Sequence, residues 1–487
     1  MRRSKSWAWL RIASQARSTF RYAQPEDRSG RALVAPRPPC DALEETTLYL
    51  HSVKDAPRAA ASPSASCAYG WIVFALTFGL LLSDYMSRQV LNAVFPLLKA
   101  SWGLSDTRLG ALSSAVALMV GTLTFPLSVL ADRWGRVRSV VLMGALWSLA
   151  TLGCAVSRNY GDMLLARAFV GLGEAAYGSV GLAIVLSIFP PSMRATLTGA
   201  FMAGGAFGSV FGMSLGGIVA VHLGWRWSFG AMAAFGFALV VVYRVTVTEK
   251  RIGVSRWHDE GRTETPSGGR PSFRALLKSL FSTVSVVCAY LGSALQLFIM
   301  GAVLAWMPSF LNRYYGFAAD KAGVVAAMFL MLGGTGMIVC GIVTDRVSRV
   351  FPIRKWVSAI AYSLSSFVLL AVGFHLHAGP AQLAVLGAGI FLVAGTSGPA
   401  GAMVARLTPE AIHASAFGTL TLVNNLIGLA PGPILTGVIA DRIGLLGALQ
   451  IIPFAALAAT LAFVVGKQRY PRDLRHLATL EKAAARQ

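Results

Sequence analysis

Apolar blocks of about 20 residues recur along this chain from Ala68 to Val465. Each is long enough to cross about 30 Å of hydrocarbon as a helix, a solvent that tolerates only structures satisfying their own backbone hydrogen bonds. The spacing predicts twelve spans, over 70–95, 108–130, 137–157, 161–188, 195–221, 227–247, 280–310, 321–343, 355–376, 382–405, 414–438 and 446–466. An all-α membrane protein follows, and soluble multidomain arrangements are excluded. Composition supports this: 13% of the residues are charged, against roughly a quarter in soluble chains.

Sidedness is read from Lys and Arg in the short loops, because cytoplasmic loops retain positive charge. Loops that follow even-numbered spans carry sixteen such residues, and the opposite loops carry seven. The expectation is a multi-pass protein of the cytoplasmic (inner) membrane with both termini cytoplasmic. The net charge of +22 then reflects basic anchors on anionic lipid, and no nucleic-acid partner is implied. The five cysteines lack metal-ligand spacing, so neither a metal nor a cofactor is expected. Residues 1–67 are polar, rich in Arg, Pro and Ser, and expected to be a disordered basic tail; a transit segment or an upstream start site are alternatives. The charged stretch 249–279 reads as a cytoplasmic linker between halves at 68–248 and 280–466, and 467–487 as a cytoplasmic C-terminal tail.

The halves are suggested by internal repetition. LADRWGRVR (130–138) follows the second span and GIVTDRVSR (341–349) follows the eighth, so Asp132 and Asp345 stand 213 residues apart. Pro190 and Pro409, each between a fourth and a fifth span, are 219 apart. A carboxylate at such a helix end can accept hydrogen bonds from the free amides at the N-terminus of a neighbouring helix. In the fifth span Gly204, Gly208, Gly212 and Gly216 form a stripe that lets another helix approach closely. Gly336, Cys340 and Thr344 of the eighth span make a plausible partner, so the stripe is expected to be a sliding surface. G-M-S-L-G (212–216) formally matches a hydrolase nucleophile motif, but it lies mid-span without the strand-turn-helix that motif requires, and no enzyme is expected.

The paired loop motifs resemble the signature of the major facilitator superfamily, with Ser128 where the signature usually begins with Gly and Gly341 retained in the second copy. RAFVGLGEAAY (167–177), FPPSMRATLTG (189–199), HLGWRWSF (222–229) and GAVLAWMPSFLNRYYG (301–316) are most similar to Spinster-like transporters, with sugar-acid and other organic-anion symporters next. The resemblance implies the major facilitator fold, two pseudo-symmetric six-helix bundles. It also implies that Asp132, Arg133, Arg136, Asp345 and Arg346 gate one side by latching the halves; simple lipid anchoring is the alternative for the basic residues.

Four ionisable residues stand well inside spans: Asp84, Arg88, Arg167 and Glu174. Each costs at least about 2.5 kcal/mol to insert, which makes an intramembrane charge a functional candidate. Asp84 and Arg88 share one helical face, Arg167 and Glu174 another. Two self-neutralising pairs that only fix helix packing would explain them, yet the second half has no deep charge and offers only Gln296, Trp306, Thr396, Ser397, Asn424 and Asn425. That asymmetry suits an organic anion or lysolipid-like amphiphile whose acidic group is held by Arg88 or Arg167, with Gln296, Trp306 and Asn424 contributing from the far half. Spinster-like proteins usually read Asn-Tyr-x-Asp-Arg where this chain has Asp84-Tyr85-Met86-Ser87-Arg88. Glu174 matches the family position and is expected to carry the proton. The expected function is a proton-coupled secondary transporter (symporter) working by alternating access as a monomer in the lipid bilayer; a non-transporting membrane sensor or receptor is the alternative.

Overall fold

Three glycines in one positive-φ conformation each end one span and begin the next within a single residue. They are Gly135 (φ 95°, ψ 136°), Gly224 (φ 93°, ψ 155°) and Gly444 (φ 83°, ψ 160°), in a backbone region where a Cβ is strained. The computed structural model describes residues 67–190, 193–249, 280–281, 283–408 and 412–484. Its first half contains α1 (Cys67–Trp102), α2 (Asp106–Trp134), α3 (Arg136–Val156), α4 (Tyr160–Glu174), α5 (Tyr177–Ile188), α6 (Arg194–Leu223) and α7 (Trp225–Thr246). The second half contains α8 (Val284–Tyr315), α9 (Ala319–Val347), α10 (Arg354–His375), α11 (Pro380–Ala394), α12 (Ser397–Leu407), α13 (His413–Val423), a π-helical turn (Asn424–Leu429), α14 (Pro431–Ile451) and α15 (Ala455–Ala484). No strand occurs among the described residues.

Among the described residues, eleven helical stretches are long and apolar enough to cross a membrane, and the last, Ser415–Arg475, is 61 residues long. At 1.5 Å per residue that is about 90 Å, three times the hydrocarbon thickness. Gly444 interrupts it with non-helical angles, so it is two spans and the total is twelve. The fourth span breaks between Glu174 and Tyr177, and the tenth between Ala394 and Ser397, at positions 220 residues apart, the same interval that separates Gly224 from Gly444. The duplication is therefore written in the backbone as well as in the loops. The basic tail, apart from Cys67, and most of the linker (250–279) lie outside the described residues. The C-terminal tail through Ala484 continues the twelfth span as α15, and its Asp473 accepts hydrogen bonds from Ser285 N (2.9 Å) and Ser285 Oγ (2.6 Å) at the start of α8.

Packing differs between the two faces. At the face opposite the loop signatures, one apolar cluster joins both halves, with Phe95 and Met213 from the first and Trp306 and Phe329 from the second. At the signature face the core divides, one cluster around Trp147 and Tyr177 and another around Tyr290, Trp356 and Phe463. Glycine marks the closest approaches on the closed face: a Cβ on Gly323 would stand 2.6 Å from Met213 O, and one on Gly110 2.8 Å from Pro433 C. The halves meet at one end and part at the other.

Candidate functional site

Glu174 is the last residue of α4, where the fourth span breaks in mid-membrane. Such a break frees carbonyls, and Thr124 of α2 answers one of them, its hydroxyl donating to Ala175 O at 2.7 Å. Discontinuous membrane helices are where transporter folds concentrate binding groups. Here the break presents the Glu174 carboxylate, fully buried, to Arg88 of α1. The Arg88 guanidinium donates to one oxygen only, Nε at 3.0 Å and a terminal nitrogen at 2.7 Å from Oε2. Glu174 Oε1 is buried with no hydrogen-bond partner, and so is Asp84 Oδ1. Asp84, one turn before Arg88 on α1, is buried beside this pair, and the guanidinium sits 5.3 Å from the centre of the Tyr85 ring. Two carboxyl groups and one guanidinium thus meet between α1 and α4. Arg88 alone keeps access to solvent, with 22% of its side chain exposed.

Pairing across helices replaces the two within-helix pairs that spacing suggested. Arg167 also differs from expectation. It is fully buried, and its guanidinium donates to Ser87 O (2.9 Å), Arg88 O (3.2 Å) and, at the limit of a hydrogen bond, Leu112 O (3.5 Å). Those bonds take three of its five N–H groups and tie α4 to α1 and α2.

The second half supplies less to the site than expected. Gln296 is buried and donates to Ser363 Oγ at 2.5 Å, and Ser363 in turn donates to Ala456 O, a network internal to that half. Trp306 belongs to the closed face: its indole donates to Pro433 O at 3.0 Å and its ring centre lies 5.3 Å from that of Phe95. Thr396 and Ser397 mark the break in the tenth span, where the Thr396 hydroxyl donates to Val393 O. Asn424 opens the π turn and its Oδ1 is buried without a partner; such turns are frequent at functional sites. The neighbouring Asn425 faces the first half, its Cβ 2.9 Å from where a Cβ on Gly121 would stand.

Among the gating candidates, Arg133, Asp345 and Arg346 are exposed on the open face. Asp345 lies 3.6 Å from Lys355 of its own half, with 75% of its side chain exposed. Arg136 begins α3. Asp132 is helical, and its side chain is outside the described residues. The glycine stripe packs helices closely, but its partner is α1: Cβ atoms on Gly204, Gly208, Gly212 and Gly216 would stand 3.1 Å from Phe78, 3.0 Å from Leu82 Cα, 2.6 Å from Met86 Cα and 2.8 Å from Val90. Gly336 and Cys340 instead face Phe391 and Gly395, and Thr344 bonds Tyr362, all in the second half. The stripe is therefore a seam inside the first half rather than a sliding surface between halves; small residues reveal a close approach without revealing the neighbour.

A second charged group, absent from the sequence-based expectations, lies at the closed face. Asp106 accepts from Lys99 (2.5 Å) and, through both oxygens, from Arg313 of the opposite half (2.6 and 2.8 Å). Asp441 of the second half accepts from Asp106 N (2.7 Å), Thr107 N (2.9 Å) and the Thr107 hydroxyl (2.6 Å). A signal for it exists: A-D-R-I-G (440–444) repeats A-D-R-W-G (131–135).

A family model described as Major Facilitator Superfamily matches residues 77–430. The chain is 24% identical over 402 residues to a protein of Bacillus subtilis (strain 168) named "Hexuronate transporter", covering 81% of this chain and 93% of that one. It is 26% identical over 245 residues to "Protein spinster homolog 1" of Homo sapiens, covering 50% of this chain and 46% of that one. Among solved structures it is similar to a bacterial homolog of the human lysosomal transporter Spinster, in an inward-facing and unoccupied conformation, with a TM-score of 0.73 at 18% identity over 84% of this chain and 99% of that one.

Proposed function

Since the chain belongs to the major facilitator superfamily, we propose that it is a secondary active transporter that moves a small organic anion together with protons by alternating access. The observation that carries this reading is the partly exposed Arg88 held by a buried Glu174 with Asp84 beside it. When a proton binds the Asp84–Glu174 pair, Glu174 no longer needs its cation, and the guanidinium is released to hold a substrate carboxylate. When the anion leaves, Arg88 returns to Glu174. The Arg88–Glu174 contact seen here is the state after substrate release. With the basic signature loops on the cytoplasmic side, as the charge asymmetry indicates, that state is open to the cytoplasm. Hexuronates, the cargo named for the Bacillus subtilis relative, are carboxylates of the kind such a site fits.

Arg167 serves as a positioning residue: by holding the carbonyls of residues 87 and 88 it fixes the register of α1 that aims Arg88 at Glu174. The test is uptake of labelled hexuronate by the purified protein in liposomes with an imposed pH gradient. Saturable uptake driven by an inward proton gradient and lost in Arg88→Gln is expected. Binding without any gradient-driven flux, for hexuronates and related organic anions alike, would instead make the protein a sensor that has kept the fold.

A further inference from the structure

The sequence A-x-x-Φ-G, with Φ an apolar residue, occurs at three helix junctions, at 131–135, 220–224 and 440–444, and each ends in a glycine of the same positive-φ conformation. Two of the three copies carry Asp-Arg at the second and third positions, Asp132-Arg133 and Asp441-Arg442; the third has Val221-His222. The copy at 440–444 lies at the closed face, and its aspartate is bonded to the opposite half.

The need it meets is built into any helix. The first amides of α2 have no partner within the helix. Ser105 caps one, its hydroxyl accepting from Arg108 N at 3.2 Å. Asp441 takes the two before it, Asp106 N and Thr107 N, with one oxygen on each. A carboxylate there also meets the positive end of the helix dipole. Gly437, one turn earlier, permits the approach, since a Cβ there would lie 2.7 Å from Asp106 C. The same α2 residue, Asp106, reaches back through its own carboxylate to Arg313. Each half therefore offers the other an acid and receives a donor.

We propose that Asp441, with Asp106 and Arg313, is the latch that holds the closed face shut, a copy of the loop signature working on the opposite side of the membrane from Asp132 and Asp345. The assignment rests on the alternating-access reading above. The equivalent junction at Gly224 has no acid, and there α6 and α9 meet through backbone instead, Gly217 against Ala319 and Gly323 against Met213. Of these two crossings between halves, the α2–α14 crossing is held by charge. Charge-assisted bonds to backbone amides exchange readily for water once the face opens, which suits a contact that must be broken in each cycle.

Spin-label distances in the full chain reconstituted in lipid, with its native cysteines replaced and transport checked, test the proposal. One label pair, at positions 158 and 377, spans the closed face, and a second, at 138 and 349, spans the signature face. Asp441→Asn should lengthen the first distance and shorten the second, shifting the populations about tenfold to a hundredfold, as expected for loss of one or two charge-assisted bonds. Arg313→Gln should act in the same direction and serves if Asp441→Asn fails to fold. Asp132→Asn, on the other latch, should leave the observed state favoured. Unchanged distances in both Asp441→Asn and Arg313→Gln, while an imposed proton gradient still moves the two label pairs, would overturn the latch and leave alternating access standing. Label pairs that never move under any gradient or variant would overturn both.

Discussion

Glu174→Gln separates coupling from binding more cleanly than any other single change in the membrane-embedded cluster. Arg88 makes two hydrogen bonds to Glu174 Oε2, at 3.0 and 2.7 Å, and hydrogen bonds to charged groups contribute about 1.5–3 kcal/mol each. That figure is an upper bound here, because Arg88 retains 22% exposure and solvent screens the pair. Glutamine keeps a carbonyl acceptor in the same place for the Arg88 guanidinium. The expected loss of stability is about 1–2 kcal/mol, small enough for the variant to insert and purify. The effect on coupling is larger. One proton carried per substrate lets a pH difference of one unit support about tenfold accumulation, since that difference is 1.36 kcal/mol. With Glu174→Gln the accumulation ratio should fall to about one, while exchange of labelled for unlabelled hexuronate across the same membrane persists. The assay is paired, with gradient-driven uptake and counterflow measured on the same liposomes. A Glu174→Gln protein that still accumulates about tenfold, with the wild-type pH dependence, refutes the assignment and moves the proton to Asp84.

Arg167→Lys should cost about 3 kcal/mol, because an ammonium cannot reproduce a guanidinium fork on the carbonyls of residues 87, 88 and 112; a thermal melt in detergent should show a fall of several degrees. Weaker substrate binding with an unchanged melt would return Arg167 to the anion site. Gly212→Leu, whose side chain would run into the Met86 backbone inside the first half, should lower the melting temperature, whereas Gly121→Leu, which meets Asn425 and Leu426 of the second half, should spare folding and block transport. A normal melt with lost transport for Gly212→Leu would restore the stripe as a moving surface.

The fold was legible because its two causes act along the chain: span length answers to bilayer thickness, and duplicated loops answer to duplicated halves. Even the one place where helical hydrogen bonding hides a boundary, Ser415–Arg475, is resolved by a glycine that sequence already shows at 444. The charged cluster was legible for the same reason, since an ion in hydrocarbon stands out whatever surrounds it. Which ion meets which was not. Asp84 with Arg88 and Arg167 with Glu174 are the pairs that helical spacing offers, yet the bond that forms is Arg88 to Glu174. Pairing between helices depends on their relative height and rotation, and single-helix periodicity carries neither.

The same limit explains the polar residues of the second half. Gln296 and Trp306 looked like cavity groups because they are polar or amphipathic within spans, but a buried amide or indole is equally served by a neighbouring hydroxyl or carbonyl. Ser363 and Pro433 provide those partners. Two acceptors are still unanswered, Gln296 Oε1 and Asn424 Oδ1, and Asn424 sits where the helix changes its hydrogen-bonding pattern. The closed face inverts the relation. There the motif was readable, since A-D-R-I-G repeats A-D-R-W-G residue for residue except at one apolar position. What a sequence cannot supply is the partner. The acid of the copy finds two free amides at the start of α2, 335 and 334 residues away in the chain. Only the packing of one half against the other turns a helix-ending motif into a bond between halves.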